Sequence, residues 1–391
     1  MVQAEGLTGE LIRLRREFHQ HPELSHHEER TAGVVARYLQ DLGLEVKTGL
    51  ADHGVVGTFA GSRPGRTVAW RADMDALPLE EKVAAPWRSQ VPGVMHACGH
   101  DFHISIGLAA ARLLSHMKDR LAGRFRFIFQ PAEEGPPRGD KSGAQGMAGA
   151  GVLEDPAVDA ILALHVAPNL DVGLIRHSPE VVMAGADRVE MAITGKAAHG
   201  ATPHRGVDPI LASAQALTQI QGFLVQRVDA RHPVILTFGR INGGNRFNIL
   251  AERVELEGSF RYLQESVRQD VQQGLKRQMA GLAQGSGAKI ELIFQPTYPI
   301  LKNNPQLSTQ AVKILGQVLG ENHLKPHQPA MGSEDFSYYA ARVPAFYFFL
   351  GVRTPGGKVQ ALHSPEFNPD EAALPWGLKA AAVLLAALAE P

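Results

Sequence analysis

The chain has 391 residues, with 39 basic and 40 acidic side chains, 17 histidines and one cysteine. At roughly 150 residues per domain the length fits two or three domains, and 44% hydrophobic with 20% charged residues provides a real core and excludes a disordered chain. A formal charge of -1 gives no long-range pull toward nucleic acid or an anionic membrane, and a lone cysteine excludes an intramolecular disulfide framework and fits a reducing compartment.

Leu7, Leu11, Leu14 and Phe18, then Val34, Val35, Tyr38, Leu39 and Leu42, recur at helical spacing and predict helices over 7–21 and 27–43, the second closed by Gly43. Short β-type runs follow at Val55–Ala60 and Thr67–Trp70, then a helix at Ile104–Leu114 and strands at Phe125–Phe129 and Ala160–Leu164. Strands alternating with helices predict an α/β domain with a largely parallel sheet. Gly135–Gly151, rich in glycine, reads as a mobile loop.

The order changes at Asp187. Strand Val189–Thr194, helix Pro209–Val225, strands Val234–Ile241 and Leu250–Arg261, helix Glu265–Leu282 and strand Lys289–Phe294 spell βαββαβ, a ferredoxin-like α+β unit. Helix Leu307–Leu319, strand Ala345–Leu350 and helix Ala372–Leu388 complete the chain. The expected organisation is a discontinuous domain, 1–186 and 296–391, with 187–295 inserted as a smaller domain. The longest purely apolar run, Ala380–Ala389, falls short of the ~20 residues a spanning helix needs, and the N-terminal segment is charged and amphipathic. A cytoplasmic protein is expected.

Polar clusters follow the strands. Thr67–Trp70 runs into Asp73 and Asp75, Phe125–Phe129 into Glu133 and Glu134, and Ala160–Leu164 into His165. Ligands of an open parallel sheet bind outside the carboxyl ends of its strands, so these groups converge on one site. The segment His96–His103 adds Cys98, His100, Asp101 and His103 just before a helix. Thiolate and imidazole suit zinc-like ions, and a helix N-terminus favours the thiolate. Adjacent Glu133 and Glu134 are expected to point to opposite sides of an extended chain, one to ligate and one to take a proton from water. Asp73 and Asp75 share a side, to ligate or to hold a ligating imidazole by its second nitrogen.

The runs Ala72–Pro78, His96–Asp101, Gln130–Gly135 and Met331–Phe336 together resemble the M20 metallopeptidase superfamily, and within it the amidohydrolase branch of hippurate, N-acyl-L-amino acid and indole-acetyl-amino acid hydrolases. The likeness runs from Arg16–Leu24 to His363–Pro365. It implies two divalent metal ions held by Cys98, His100, Glu134, His165 and His363, with Glu133 as general base and Asp75 as a supporting carboxylate. His363 enters on the resemblance alone. Asp101 and His103 would support the ligand loop. The inserted domain would be a lid and dimerisation domain, giving a homodimer or tetramer. In it His199, within Gly195–Gly200, would hydrogen-bond the oxyanion, and Asn248 and Arg261 would take the substrate carboxylate. Glu334 would line the substrate pocket.

The expected activity is hydrolysis of an N-acyl-amino acid, with a metallo-exopeptidase (carboxypeptidase or dipeptidase) as the alternative. A Cys98-nucleophile hydrolase leaves Glu133–Glu134 without a task, and a non-catalytic binding protein has no use for a base. The donor set suits Mn²⁺ or Zn²⁺, with Ni²⁺ and Co²⁺ also open. The partner is a small-molecule substrate, with neither nucleic acid nor membrane expected.

Overall fold

The computed structural model describes residues 6–135 and 141–391. Helices α1 (Thr8–Gln20) and α2 (Glu29–Asp41) precede strands β1 (Glu45–Leu50), β2 (Gly54–Ala60) and β3 (Arg63–Asp73). Helix α3 (His100–Ser115), β4 (Ala122–Gln130), α4 (Gly143–Gly149) and β5 (Ala160–Asp171) follow, then β6 (Ile175–His177) and β7 (Val181–Met183). Next come β8 (Gly185–Thr194), α5 (Pro209–Arg227), β9 (Val234–Gly243), β10 (Arg253–Tyr262), α6 (Glu265–Ser286) and β11 (Lys289–Tyr298). The chain closes with β12 (Leu301–Lys302), α7 (Pro305–Leu319), β13 (Leu324–Pro326), α8 (Ser337–Ala340), β14 (Ala345–Arg353) and α9 (Leu374–Leu388).

Two compact units result. One holds the chain up to Val182, Lys302–Gln328 and Asp335–Pro391; the other holds Met183–Leu301 and Pro329–Glu334. The first is built on an eight-stranded sheet, β1-β2-β4-β3-β5-β14-β6-β13. Its centre, β4-β3-β5-β14, is parallel, while β1 and β2 pair antiparallel at one side and β6 antiparallel to β14 at the other. Strands buried on both faces read as near-continuous apolar runs: the adjacent pairs Ala69 and Trp70, Phe127 and Ile128, Ile161 and Leu162, and Phe346 and Tyr347 are all buried. Helix α9 with the turn before it, Glu371–Leu388, is the one segment among the described residues long and apolar enough to cross a membrane. Leu374, Leu378, Leu384, Leu385 and Leu388 are buried in this core, which accounts for that composition.

The second unit has a four-stranded antiparallel sheet, β11-β8-β10-β9, with α5 and α6 packed on it. Val254, Leu256 and Phe260 are buried while Arg253 and Glu255 are exposed, the expected period-two split. The segment Pro329–Glu334 joins this unit although it is far away in sequence, with Ala184 N–H donating to Ala330 O and Gly332 O at 2.9 Å.

Two local expectations change. Gly143–Gly149 is a helix, not a mobile loop: Ser142 caps it by accepting from Gln145 N–H, and Ala144, Met147 and Ala148 are buried. Residues 136–140 of that stretch lie outside the described residues. Strand β5 does not stop before His165 but continues to Asp171, because β14 pairs with it past Phe349↔His165.

Candidate metal centre

The pairing of β3 with β5 ends at Arg71↔Ala163, whereas β14 stays paired with β5 beyond that point. His165 therefore lies where β5 has lost one neighbour. Cys98 and His100 arrive at the start of α3 through Gly99, whose φ is +87° and whose Cβ, had it one, would stand 2.4 Å from Val166 Cγ2. Only glycine allows that close passage.

Cys98 Sγ lies 3.3 Å from His165 Nε2 and 3.3 Å from His363 Nε2. His363 Nε2 is also 3.3 Å from Glu134 Oε1. His165 Nδ1 donates to Val166 O at 2.8 Å and His100 Nδ1 to Asp75 O at 2.8 Å, so in both rings Nε2 is the nitrogen left to ligate. His100 Nε2 is buried with no hydrogen-bond partner, 3.8 Å from Glu133 Oε2 and 3.9 Å from Glu134 Oε1. Such an orphan costs about 1–3 kcal/mol unless something else satisfies it. Three overlapping triads, Cys98–His100–His165, Cys98–Glu134–His363 and His100–Glu133–Glu134, each bring their donor atoms within 4.8 Å of one another. This mixture of thiol, imidazole and carboxylate, buried at Cys98, His100 and His165, half-buried at Glu134 and exposed at His363, fits divalent cations, and overlapping triads that share Cys98, His100 and Glu134 fit a pair of them.

Electrostatics agree. Burial alone would lower the His100 imidazole, but Asp73, Asp75 and Glu134 raise it to about 10. The Cys98 thiol is pushed well up, first by burial and then by Glu134, Glu133 and Asp73. Burial and three carboxylates thus oppose the helix N-terminus in setting the ionisation of this thiol. Burial opposes ionisation of Asp73, yet Arg71, His100 and His103 hold it well below the usual carboxylate range.

The carboxylates around the cluster divide the support. Asp75 Oδ1 stands 3.3 Å from His100 Nδ1. Asp73 accepts from His103 Nδ1 at 2.5 Å, while His103 Nε2 accepts from Val166 N–H at 3.1 Å, a relay that ties the end of β3 to β5. Arg71 bonds both Asp73 and Asp335. Asp101 serves instead a buried pairing with His19 and Arg15. His363 has a φ of +57°, costly for a residue with a Cβ, and its N–H is tied to Ala97 O at 2.9 Å.

Glu133 and Glu134 depart from the extended-chain expectation. Both carboxylates reach the same nitrogen, His100 Nε2, because the chain leaves β4 through Ala132 at φ +49° and turns. Glu134 also pairs with His363.

In the second unit His199 and Asn248 are neighbours: Gly200 N–H donates to Asn248 O at 2.8 Å, and His199 bridges Ile249. His199 Nδ1 accepts from Ala201 N–H at 3.0 Å, so its Nε2 carries the proton and is a donor. Arg261 is half-buried, donating through Nε to Ser259 Oγ at 3.0 Å and through Nη1 to Ser333 Oγ. Glu334, next to Ser333, is buried.

Residues 69–388 match peptidase family M20/M25/M40. The chain belongs to this family. It is 38% identical to thermostable carboxypeptidase 2 of Saccharolobus solfataricus over 96% of this chain and 94% of that one. It is 35% identical to an N-acetylcysteine deacetylase of Bacillus subtilis over 93% of each. A solved Bacillus subtilis structure described as a dinuclear metal-binding peptidase of family M20 superposes with a TM-score of 0.86 at 32% identity, covering 98% of this chain and 99% of that one. The protein is an enzyme, a hydrolase of amide bonds.

Proposed function

We propose that this family M20/M25/M40 member hydrolyses the amide bond of N-acyl-amino acids, releasing a carboxylic acid and a free amino acid. The observation that carries this is the Glu133 carboxylate 3.8 Å from His100 Nε2, beside the donors Cys98, Glu134, His165 and His363. Bound divalent ions, Mn²⁺ or Zn²⁺ in this reading with Ni²⁺ and Co²⁺ open, would supply Lewis acidity and acidify water. Cys98, His100, Glu134, His165 and His363 would hold them.

Glu133 takes a proton from the attacking water and delivers it to the departing amine nitrogen. Asp75 keeps the His100 ring in the orientation that frees Nε2, through its carbonyl at 2.8 Å. The His199 Nε2–H donates to the oxyanion of the tetrahedral intermediate. Arg261, whose observed hydrogen bonds go to neutral hydroxyls, takes the substrate carboxylate together with Asn248, and Glu334 borders the pocket.

The alternative is a metallo-exopeptidase, favoured by the carboxypeptidase relative at 38% identity. We further propose a homodimer or tetramer formed through the second unit, whose edge strand β9 leaves Ile235 and Ile241 exposed. A cytoplasmic location suits a ligand thiol that must stay reduced. A panel of N-acetyl- and N-benzoyl-amino acids, assayed beside dipeptides and C-terminally blocked peptides, tests the substrate class. Faster turnover of the acyl-amino acids supports the proposal, and exclusive turnover of peptides replaces it with the alternative.

A further inference from the structure

The turn that carries Glu133 is pinned on both sides. Glu28 is fully buried, and its Oε1 accepts from Ala132 N–H at 2.8 Å. Asp75 Oδ2 accepts from Glu134 N–H at 3.0 Å and from Ser25 Oγ at 2.7 Å. Two carboxyl groups thus grip the backbone N–H on each side of Glu133. Ala132 needs the grip, since its φ of +49° is one that residues with a Cβ rarely adopt. Its carbonyl is held as well, by Gly143 N–H at 2.9 Å. A Cβ at Gly143 would stand 1.6 Å from Pro131 O, so that contact requires glycine.

The sequence frees Glu28 for this task. It precedes α2, where a carboxylate would normally cap the helix. Here Glu23 caps from a distance, with Oε1 accepting from Arg30 N–H at 3.0 Å and Oε2 from Thr31 N–H at 2.7 Å. Between them the chain makes a tight turn, His27 N–H to Leu24 O at 2.9 Å with His26 at φ +65°. Ser25 and Glu28 leave this one turn for the two anchor points.

We propose that Glu28 is a positioning residue for Glu133: by holding Ala132 N–H it fixes the turn that presents the base. Burial, followed by the nearby Asp75 charge, pushes the Glu28 carboxyl up to about 8, so near neutrality it acts as an uncharged acceptor. Glutamine is its isostere in that state; methionine fills the same space with no comparable acceptor.

The inference rests on the reading of Glu133 as base, and the metal-loaded enzyme tests the two separately with the fastest substrate of the panel. Glu28→Gln is expected to keep kcat within about threefold of the parent. Glu28→Met is expected to lower kcat by about 10–100-fold, the cost of misplacing a reacting group by around 1 Å, with KM changed less than about threefold. Metal content should be unchanged in both. Glu28→Asp, which keeps the carboxyl group and withdraws the acceptor by one carbon, should lose about tenfold and serves if the methionine variant does not fold. The acid limb of the kcat/KM profile should move in the Met and Asp variants and stay in place for Gln. Parent-like kcat in Met or Asp, a Gln variant that falls as far as they do, or a loss that tracks metal content overturns the proposal. Glu133→Gln separates the readings. An active Glu133→Gln removes the base assignment itself, whereas an inactive one beside a parent-like Glu28→Met removes only the role of Glu28.

Discussion

Loading metal into the cluster should expel protons, and their number follows from the structure. With the His100 imidazole raised to about 10, only about one ring in a thousand is deprotonated at pH 7. Freeing Nε2 there costs about 4 kcal/mol, three pH units at about 1.4 kcal/mol each, which the ion must offset. The Cys98 thiol is also held up by burial and its carboxylate neighbours, and must lose its proton to ligate. His363, raised by its hydrogen bond to Glu134, adds to the release. Titration of Zn²⁺ into metal-free protein at pH 7, by calorimetry in two buffers of different protonation enthalpy, should therefore report about two protons released per chain. Apparent affinity should climb steeply with pH. Cys98→Ser should reduce the count by about one. No buffer dependence, or the same count in the serine variant, would refute the assignment of Cys98 and His100 as ligands.

Two further perturbations have signed outcomes. Burial lowers the His96 imidazole to about 4, so as pH falls through 6.5 the unfolded chain takes the proton first. Stability from this group is complete above about 6.5 and is lost down to about 4, roughly 2 kcal/mol of it between pH 7 and pH 5. Unfolding free energies of His96→Leu from urea titrations should fall by that much less than the parent's over this interval, and parallel curves would contradict the burial argument. Arg261→Leu should raise KM for an N-acyl-amino acid at least tenfold, on the order of 1.4 kcal/mol or more for a charged hydrogen bond, while sparing the matching amide; steady-state kinetics on the pair decide it, and equal effects would remove the carboxylate role.

Much of the centre is legible in the sequence because parallel strands deliver their carboxyl ends to one place. Asp73, Cys98, His100, Glu133 and Glu134 all follow from strand or helix boundaries. His165 does too, though β5 runs past it, because pairing with β14 is a tertiary fact that no local pattern carries. His363 has no such marker. It stands in a loop at positive φ, tied to Ala97, and only the family resemblance names it. The relay from Asp73 through His103 to Val166 and the grip of Glu28 on Ala132 join segments 30, 63 and 104 residues apart, and their signals are a buried histidine and a buried acid that no periodicity explains. Gly143–Gly149 misleads in the opposite direction. Three glycines in seven residues argue against a helix, and the Ser142 cap with burial of Met147 overrides them.

The most direct measurement is hydrolysis of the preferred N-acyl-amino acid by enzyme dialysed exhaustively against chelator and then reconstituted with Mn²⁺ or Zn²⁺, with metal content determined on the same samples. Activity should vanish in the stripped protein and return in step with about two ions per chain, the count a dinuclear site requires. Full activity in protein shown to contain no metal would contradict the dinuclear assignment.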